Sequence, residues 1–562
     1  MGAKVMSQRK GLNLRAIQIS TFRNRWSISL HERNNAPTYC LTLKGEESKI
    51  ERKTTVARGA KCAFASWTGI EQAAVGRIGI AALAEVPYMW LMKTTRRHFT
   101  GVFGLGVMGG PKMLAAAVKP TPAPNKTTSR ARRAVATSRL AEVLALRRFA
   151  ELTHPRGREA SADQDWRKRW DTLAQAADRF TDGSYFLQTR RALAWFGDGH
   201  TTTLPFEFTG GVPAALAQGS FALSVPMRVR VFHDGAYVTD AAEEALPLLG
   251  ARLDQVGSAT TEALLRNWAQ DWPGNDAWAQ RWSASLFGSP AFLQGLGAVG
   301  DPRAPLRFVG TRDQRTVELF LRPRVDAAAI LQSLPRTQSD REAWAADAGC
   351  ENYARIIEAC RALYISLDAM ENLEKKSFEA FTRECAAAME STNVERLIID
   401  LRRNGGGNNF LPEVLRKKIA RSRFNRQGAL LVLISPVTFS AAQNLATRLE
   451  RETFALFVGE PTGGRPNHFG DASVFTGSVT GLTSIVSSLP WFDSYPDDKR
   501  AWIAPDAPAP MLFDDWRSGR DGALGVALTL QTAAGFDEYR EDAVFFYRRK
   551  SQQVPWRPFW RS

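Results

Sequence analysis

The sequence predicts a mixed α/β protein with a helical segment, then a β-rich segment, then a C-terminal α/β core. Three observations lead there. Ile398–Asp400 and Leu431–Ile434 are apolar runs of the kind that fill strands buried on both faces. Each run ends in a turn, and the second opens into AAQNLATRLE, whose apolar residues recur at helical spacing. Between Pro226 and Arg324 the pattern shortens, and MRVRVFHDGAYV alternates and turns at Asp234-Gly235, a hairpin signal.

Bulk properties exclude several function classes. At 562 residues the chain has room for several domains with a well-buried core. No run of 18 or more apolar residues marks a membrane-spanning helix. The net charge of +17 is confined to residues 1–138, with 23 basic and 6 acidic residues, whereas residues 139–562 carry 51 of each sign. The globular part is therefore neutral and has no nucleic-acid footprint. Cys40, Cys62, Cys350, Cys360 and Cys385 show no CxxC and no zinc-ligand spacing, so neither a metal nor another cofactor is expected. Buried thiols are favoured over a disulfide.

Residues 1–91 show mixed polarity and no sustained period, and read as a disordered or non-native extension. Residues 92–117 resemble a bacterial twin-arginine export signal, with Arg96-Arg97, the weakly apolar Gly101–Gly110 and a small-residue exit at Ala115–Ala117. That places the expected start at Met92, sends the mature protein to the periplasm or outside the cell, and leaves no stable membrane insertion after cleavage. Residues 118–138 are a Lys/Pro/Thr/Ala/Arg linker. A helical cap is expected over 139–200, with helices at Leu140–Leu152, Trp166–Phe180 and Tyr185–Trp195. A β-rich domain follows over 201–340 and the α/β core over 341–535. In the core, helices are expected at Tyr353–Leu363, Lys376–Met389 and Ala523–Ala533, with strands at Ala362–Leu367 and within Ser473–Ser487. Residues 536–562 form a tail rich in aromatics and arginine.

The chemistry concentrates between Asp400 and Gly464. Strand, turn with an exposed hydroxyl, helix is how several unrelated hydrolases present a nucleophile, and here the hydroxyl is that of Ser440. The N–H of Ala441 stands at the positive end of the following helix, where an oxyanion is stabilised. The Gly405–Gly407 triplet allows close backbone approach, and Gly406 or its neighbour is the candidate second donor. A plain N-cap serine and a tight strand-to-helix loop are the simpler explanations.

These residues resemble a family, the tail-specific (C-terminal processing) serine peptidases, which includes the tricorn core peptidase and the interphotoreceptor retinoid-binding proteins. The resemblance is carried, in order, by Asp198–Thr201, Asp400–Arg402 with Asn404–Gly407, Thr438–Ala442, Val458–Gly464 and Ala504–Asp506. It implies a crotonase-like core, Ser440 as nucleophile and a peptide or protein substrate. One departure matters. The position of the lysine base found in most of the family holds Arg465, which cannot accept a proton, and no lysine lies between Ser440 and Lys499. The resemblance then points to the tricorn-like Ser/His/acid arrangement. His200 matches its histidine, His468 is the competing base, and Asp498, ahead of its neighbour Asp497, is the candidate acid. Arg465 and His468 are the candidate substrate contacts, with Arg465 suited to a carboxylate. His154 and His233 read as surface residues. A catalytically inactive binding protein for peptides or hydrophobic ligands, on the same fold, is the alternative.

Overall fold

The computed structural model describes residues 138–204, 219–270, 272–327, 330–331, 351–530 and 556–561, with the backbone of five strands between residues 4 and 57. The expected export signal, the linker up to residue 137 and most of the C-terminal tail lie outside the described residues. The chain divides into two units, Met1–Thr95 and Arg96–Ser562. In the first, Lys4–Met6, Leu14–Ser20, Arg25–Glu32, Thr38–Gly45 and Ser48–Ala57 pair in sequence order as an antiparallel meander, where the sequence showed no sustained period.

The second unit opens with four helices, α1 (Arg139–Thr153), α2 (Gly157–Ala162), α3 (Gln164–Ala176) and α4 (Asp182–Leu193). Ser138, Asp163 and Thr181 cap α1, α3 and α4 by accepting from the amides of Ala141, Trp166 and Ser184, which satisfies otherwise orphaned donors. Strand β1 (Thr202–Leu204) follows immediately. Next come β2 (Met227–Phe232), β3 (Gly235–Ala241), β4 (Arg252–Val256), β5 (Leu306–Arg312) and β6 (Arg315–Leu321), an antiparallel sheet in the order β6-β5-β4-β3-β2. Three helices interrupt it, α5 (Thr261–Gln270), α6 (Asp276–Gly288) and α7 (Pro290–Gly295).

The mixed α/β character is plainest in the C-terminal sheet. Its strands are β7 (Tyr353–Ile357), β8 (Ala362–Ser366), β9 (Arg396–Asp400), β10 (Leu430–Ile434) and β11 (Leu456–Gly459), with a two-residue edge strand at Ala507–Pro508. They are hydrogen-bonded in that order, antiparallel at β7/β8 and parallel thereafter. Parallel neighbours need long crossovers, and helices supply them: α8 (Phe378–Met389), α9 (Glu413–Arg421) and α10 (Ala441–Glu452). One face carries Leu397, Ile399, Leu430 and Val432 against Leu445 and Leu449 of α10. The other carries Ile398, Leu431 and Leu433 against Ala523 and Ala527 of helix α11 (Gly522–Thr529). That two-sided burial explains the unbroken apolar runs. Each such side chain contributes about 1.5–3 kcal/mol by leaving water.

Two local expectations are overturned. Tyr353–Leu363 is not a helix: residues 353–357 form β7, a tight turn follows with Arg361 at φ +50°, and Ala362 begins β8. Pairing with the buried β8 outweighs the helical spacing of a short apolar run. The stretch read as mostly strands between Pro226 and Arg324 also contains α5, α6 and α7. Asn275 announces one of them, accepting from the amide of Trp278 as its N-cap. Among the cysteines, Cys385 is buried in α8, where burial pushes its thiol up to about 12, whereas Cys360 is exposed.

Glu460, just after β11, is buried, and its Oε1 has no hydrogen-bond partner among the described residues. Burial drives its carboxyl up to about 7, against lesser downward pulls from the Met511 amide and the Arg402 charge. A carboxyl whose folded pKa is raised favours folding below its unfolded pKa, and that contribution is lost as pH rises through about 7. Glu460→Gln is therefore expected to be near neutral at pH 5 and stabilising at pH 8 by up to about 3 kcal/mol. Chemical denaturation at both pH values measures this; equal effects at the two would refute it.

Candidate active site

Both informative turns leave the carboxyl ends of neighbouring parallel strands, the usual place for a site in an open α/β sheet. After β9, Asp400 and Asp521 both pair with the buried guanidinium of Arg402, and Tyr364 donates to Asp400. The two turns are then tied together. Ser435 Oγ donates to Arg402 O (2.6 Å), Thr438 Oγ1 to Leu401 O (2.9 Å), and Phe439 N to Asn404 O (3.2 Å).

Ser440 ends this turn at φ +53°, ψ −125°, and α10 begins at the next residue. Positive φ is uncommon for a side-chain-bearing residue, and a serine held there between strand and helix is the geometry of a nucleophile elbow. Its hydroxyl makes no capping bond to the helix. Ala441 N–H, at the first helical position, has no carbonyl a turn back to bond. Gly406, at φ +119°, lies against the elbow: a Cβ there would fall 2.6 Å from Ser440 Cβ and 3.1 Å from Ala441 N. The Gly406 amide itself donates to Asn404 Oδ1 (2.9 Å), and its carbonyl accepts from Met370 N (3.0 Å). Gly406 thus shapes the site by lacking a side chain, and its N–H is committed within the loop.

His200 arrives from the end of the α4 segment and is buried. Its ring lies in a ladder of four: Trp278 on Phe439 (centroids 3.8 Å apart), Phe439 on His200 (4.3 Å), His200 on His468 (5.4 Å). Phe439 is the residue before Ser440, so the imidazole packs on the side chain that precedes the elbow serine. Gly199 admits the approach, since a Cβ there would fall 2.9 Å from the Phe439 ring.

The carboxylate beside His200 is Asp198, two residues earlier. Asp198 Oδ1 accepts from the His200 amide (3.1 Å) and faces His200 Nδ1 at 3.7 Å. Oδ2 accepts from Thr201 Oγ1 (2.7 Å) and from Ser487 Oγ. Burial alone would raise its pKa; the facing His154 and His200 imidazoles, the His200 charge and the Ser487 hydroxyl instead hold it far below the ordinary carboxylate range. The expected acid, Asp498, is differently engaged. It accepts from Ser494 Oγ and pairs with Arg500, which also bridges to Glu450 on α10. That network braces a loop onto α10, and a polar turn next to an arginine was a weak signal for catalysis.

His468 lies on β12 (Asn467–Gly470), which pairs with Leu489–Phe492. Its Nδ1 faces Arg465 O at 3.0 Å, and burial, then the His200 charge, push the imidazole down to about 4. Arg465 is half-buried and reaches Gly274 O at 3.5 Å; burial lowers its pKa and the Asp198 charge opposes this. It makes no ion pair among the described residues. His233 lies in the β2/β3 hairpin, while His154, expected on the surface, is buried within reach of Asp198. No metal-binding cluster of His, Cys, Asp or Glu occurs among the described residues.

No family model matches the chain, and no curated protein matches it. Among solved structures it is similar to mature CPAF complexed with lactacystin (13% identity, TM-score 0.48, covering 69% of this chain and 96% of that one). It is also similar to the photosystem II D1 C-terminal processing protease (15%, 0.32, 66% and 93%) and to the tricorn protease (10%, 0.32, 94% and 46%).

Two glycine substitutions are expected to act with opposite sign. Gly406→Ala meets the Ser440 side chain at a positive φ and should cost about 1–3 kcal/mol. Gly525→Ala, inside α11 with nothing within 4 Å of the new Cβ, should stabilise by about 0.5–1 kcal/mol. Urea unfolding of both reports the contrast, and equal effects would contradict it.

Proposed function

We propose that the chain is a serine peptidase on a crotonase-like core, hydrolysing peptide bonds of a peptide or protein substrate through an acyl-enzyme on Ser440. The observation that carries this reading is Ser440 at φ +53° opening α10, with the first helix amide, that of Ala441, and a side-chain-free Gly406 beside it. The ordered sequence motifs support it independently.

In this reading His200 is general base and then general acid. Its Nδ1 faces Asp198, so the proton sits on Nδ1 and Nε2 takes the Ser440 proton as Oγ attacks the carbonyl carbon. The Ala441 N–H and an amide of the glycine loop hold the oxyanion. Collapse breaks the C–N bond and passes the proton from His200 to the leaving amine. Water then repeats the sequence on the ester and frees Ser440. Asp198, rather than Asp498, orients the imidazole. His468 is a poor base near neutral pH, because a group pushed down to about 4 has little affinity for the proton it must take.

A binding protein on the same fold is the second reading, favoured by Arg465 standing where a lysine base would be. A fluorophosphonate probe separates the two. Labelling of the purified protein should be lost in Ser440→Ala, with peptide hydrolysis down by about 10⁴-fold or more. A folded wild-type protein that is never labelled would establish the binding reading instead.

Export by the twin-arginine route is part of the proposal, supported by Arg96-Arg97 and the residues that follow. Replacing both arginines with lysine should retain the protein in the cytoplasm, as cell fractionation would reveal. Export undiminished in that variant would remove this part.

A further inference from the structure

We infer that His154 is a positioning residue of the same centre, acting on His200 through Asp198, so that the helices preceding the site supply a working part of it. The inference rests on the Ser440/His200 reading.

His154 is the residue at which α1 ends, its amide donating to Ala150 O. Its side chain has no solvent exposure. Nδ1 accepts a hydrogen bond from the Arg156 amide at 3.0 Å. An imidazole nitrogen that accepts carries no proton, so in the neutral ring the hydrogen sits on Nε2. That Nε2 lies 3.7 Å from Asp198 Oδ2 and has no hydrogen-bond partner among the described residues. The buried N–H therefore has one acceptor within reach, the carboxylate that faces His200. The ring is also clamped: Phe196 stacks on it with centroids 3.9 Å apart, and Phe469, next to His468 on β12, covers it at 4.8 Å.

The two oxygens of Asp198 divide their work. Oδ1 serves the backbone and ring of His200, while Oδ2 takes the hydroxyls of Thr201 and Ser487 and faces His154. A carboxylate turns about its last bond unless both oxygens are held. With His154 on Oδ2, Oδ1 stays aimed at His200 Nδ1, which fixes the tautomer that leaves Nε2 able to accept. The two imidazoles stand 3.7 Å from the same carboxylate, but only His200 lies against Phe439 and so beside the nucleophile. His154 never touches substrate. A histidine serving only the packing of this region would be replaceable by any ring of the same size, and that gives the test.

His154→Phe keeps a ring between Phe196 and Phe469 and removes the N–H. His154→Gln removes the ring and keeps an N–H at about the reach of Nε2. The full-length chain is assayed for fluorophosphonate labelling and peptide hydrolysis, with melting temperature measured in parallel. His154→Phe should lose about 10–100-fold in kcat with KM unchanged and a melting temperature near wild type. His154→Gln should recover most of that loss even if it melts lower. Wild-type kcat in His154→Phe, or losses in both variants that follow melting temperature, would overturn the inference. Absence of labelling in the wild-type protein is a different result, which removes the peptidase reading itself.

Discussion

Ser440 is held in a backbone conformation it would not adopt alone, and much of the C-terminal half exists to keep it there. A side-chain-bearing residue at φ +53° costs about 1–3 kcal/mol unless its surroundings leave no alternative. Those surroundings start at β9 and β10, whose apolar runs force two parallel strands side by side. Their exits are then knotted by the hydroxyls of Ser435 and Thr438, which donate to carbonyls of the β9 exit. Arg402, the anchor of that exit, is fixed by carboxylates from both sides. The Trp278–Phe439 stack closes the turn from above, and the glycine loop closes it from the elbow side.

How His200 reaches the Phe439–Ser440 turn, 240 positions later, is a matter of sheet pairing. Strand β1, beginning two residues after it, pairs antiparallel with Thr483–Val486. The next residue, Ser487, donates from its hydroxyl to Asp198 and from its amide to Thr201 Oγ1. A short three-stranded sheet thus places the Asp198–Thr201 segment near the stretch that carries Arg465 and His468. A second latch lies nearby. Glu142 of α1 receives bonds from Tyr185, Thr480 and the amides of Val479 and Thr480, so the first helix is stapled to the loop entering that same sheet.

The parallel core, the Ser440 turn and most helices were legible because each has a local cause: two-sided burial makes unbroken apolar runs, and helix caps use a small set of residues. Asp198 was legible as part of a motif but not as the carboxylate facing His200, because nothing local separates one turn aspartate from another. The engagement of Asp498 was hidden for the mirror reason. Its carboxylate is paired with Arg500, and that pair also reaches Glu450 on a helix fifty residues earlier. His154 left no signal at all. A histidine before a proline reads as a loop, and its burial comes from Phe196 and Phe469, which are far apart in the chain. Gly406 was legible as a close approach, whereas the use of its amide by Asn404 depends on a side-chain bond that no spacing encodes.

Under the proposed Ser440/His200 reading, Arg465 at the position of a lysine base changes more than the identity of that base. A base on the loop after β11 would sit in the same core as its serine and would be placed by that core alone. With His200 as base, the proton acceptor belongs to the N-terminal helices, and its orienting carboxylate is held by groups from three separate stretches: His154, Thr201 and Ser487. The chemistry then depends on docking of the helical segment, and anything that loosens α1 loosens Asp198 before it disturbs Ser440. Arg465 and His468 remain in the site in altered parts. The arginine stays within electrostatic range of Asp198, and His468, held neutral by burial, closes the aromatic ladder on the far side of the base. A charged histidine there would disfavour an imidazolium at His200, so the low proton affinity of His468 suits the proposed role of His200 as base.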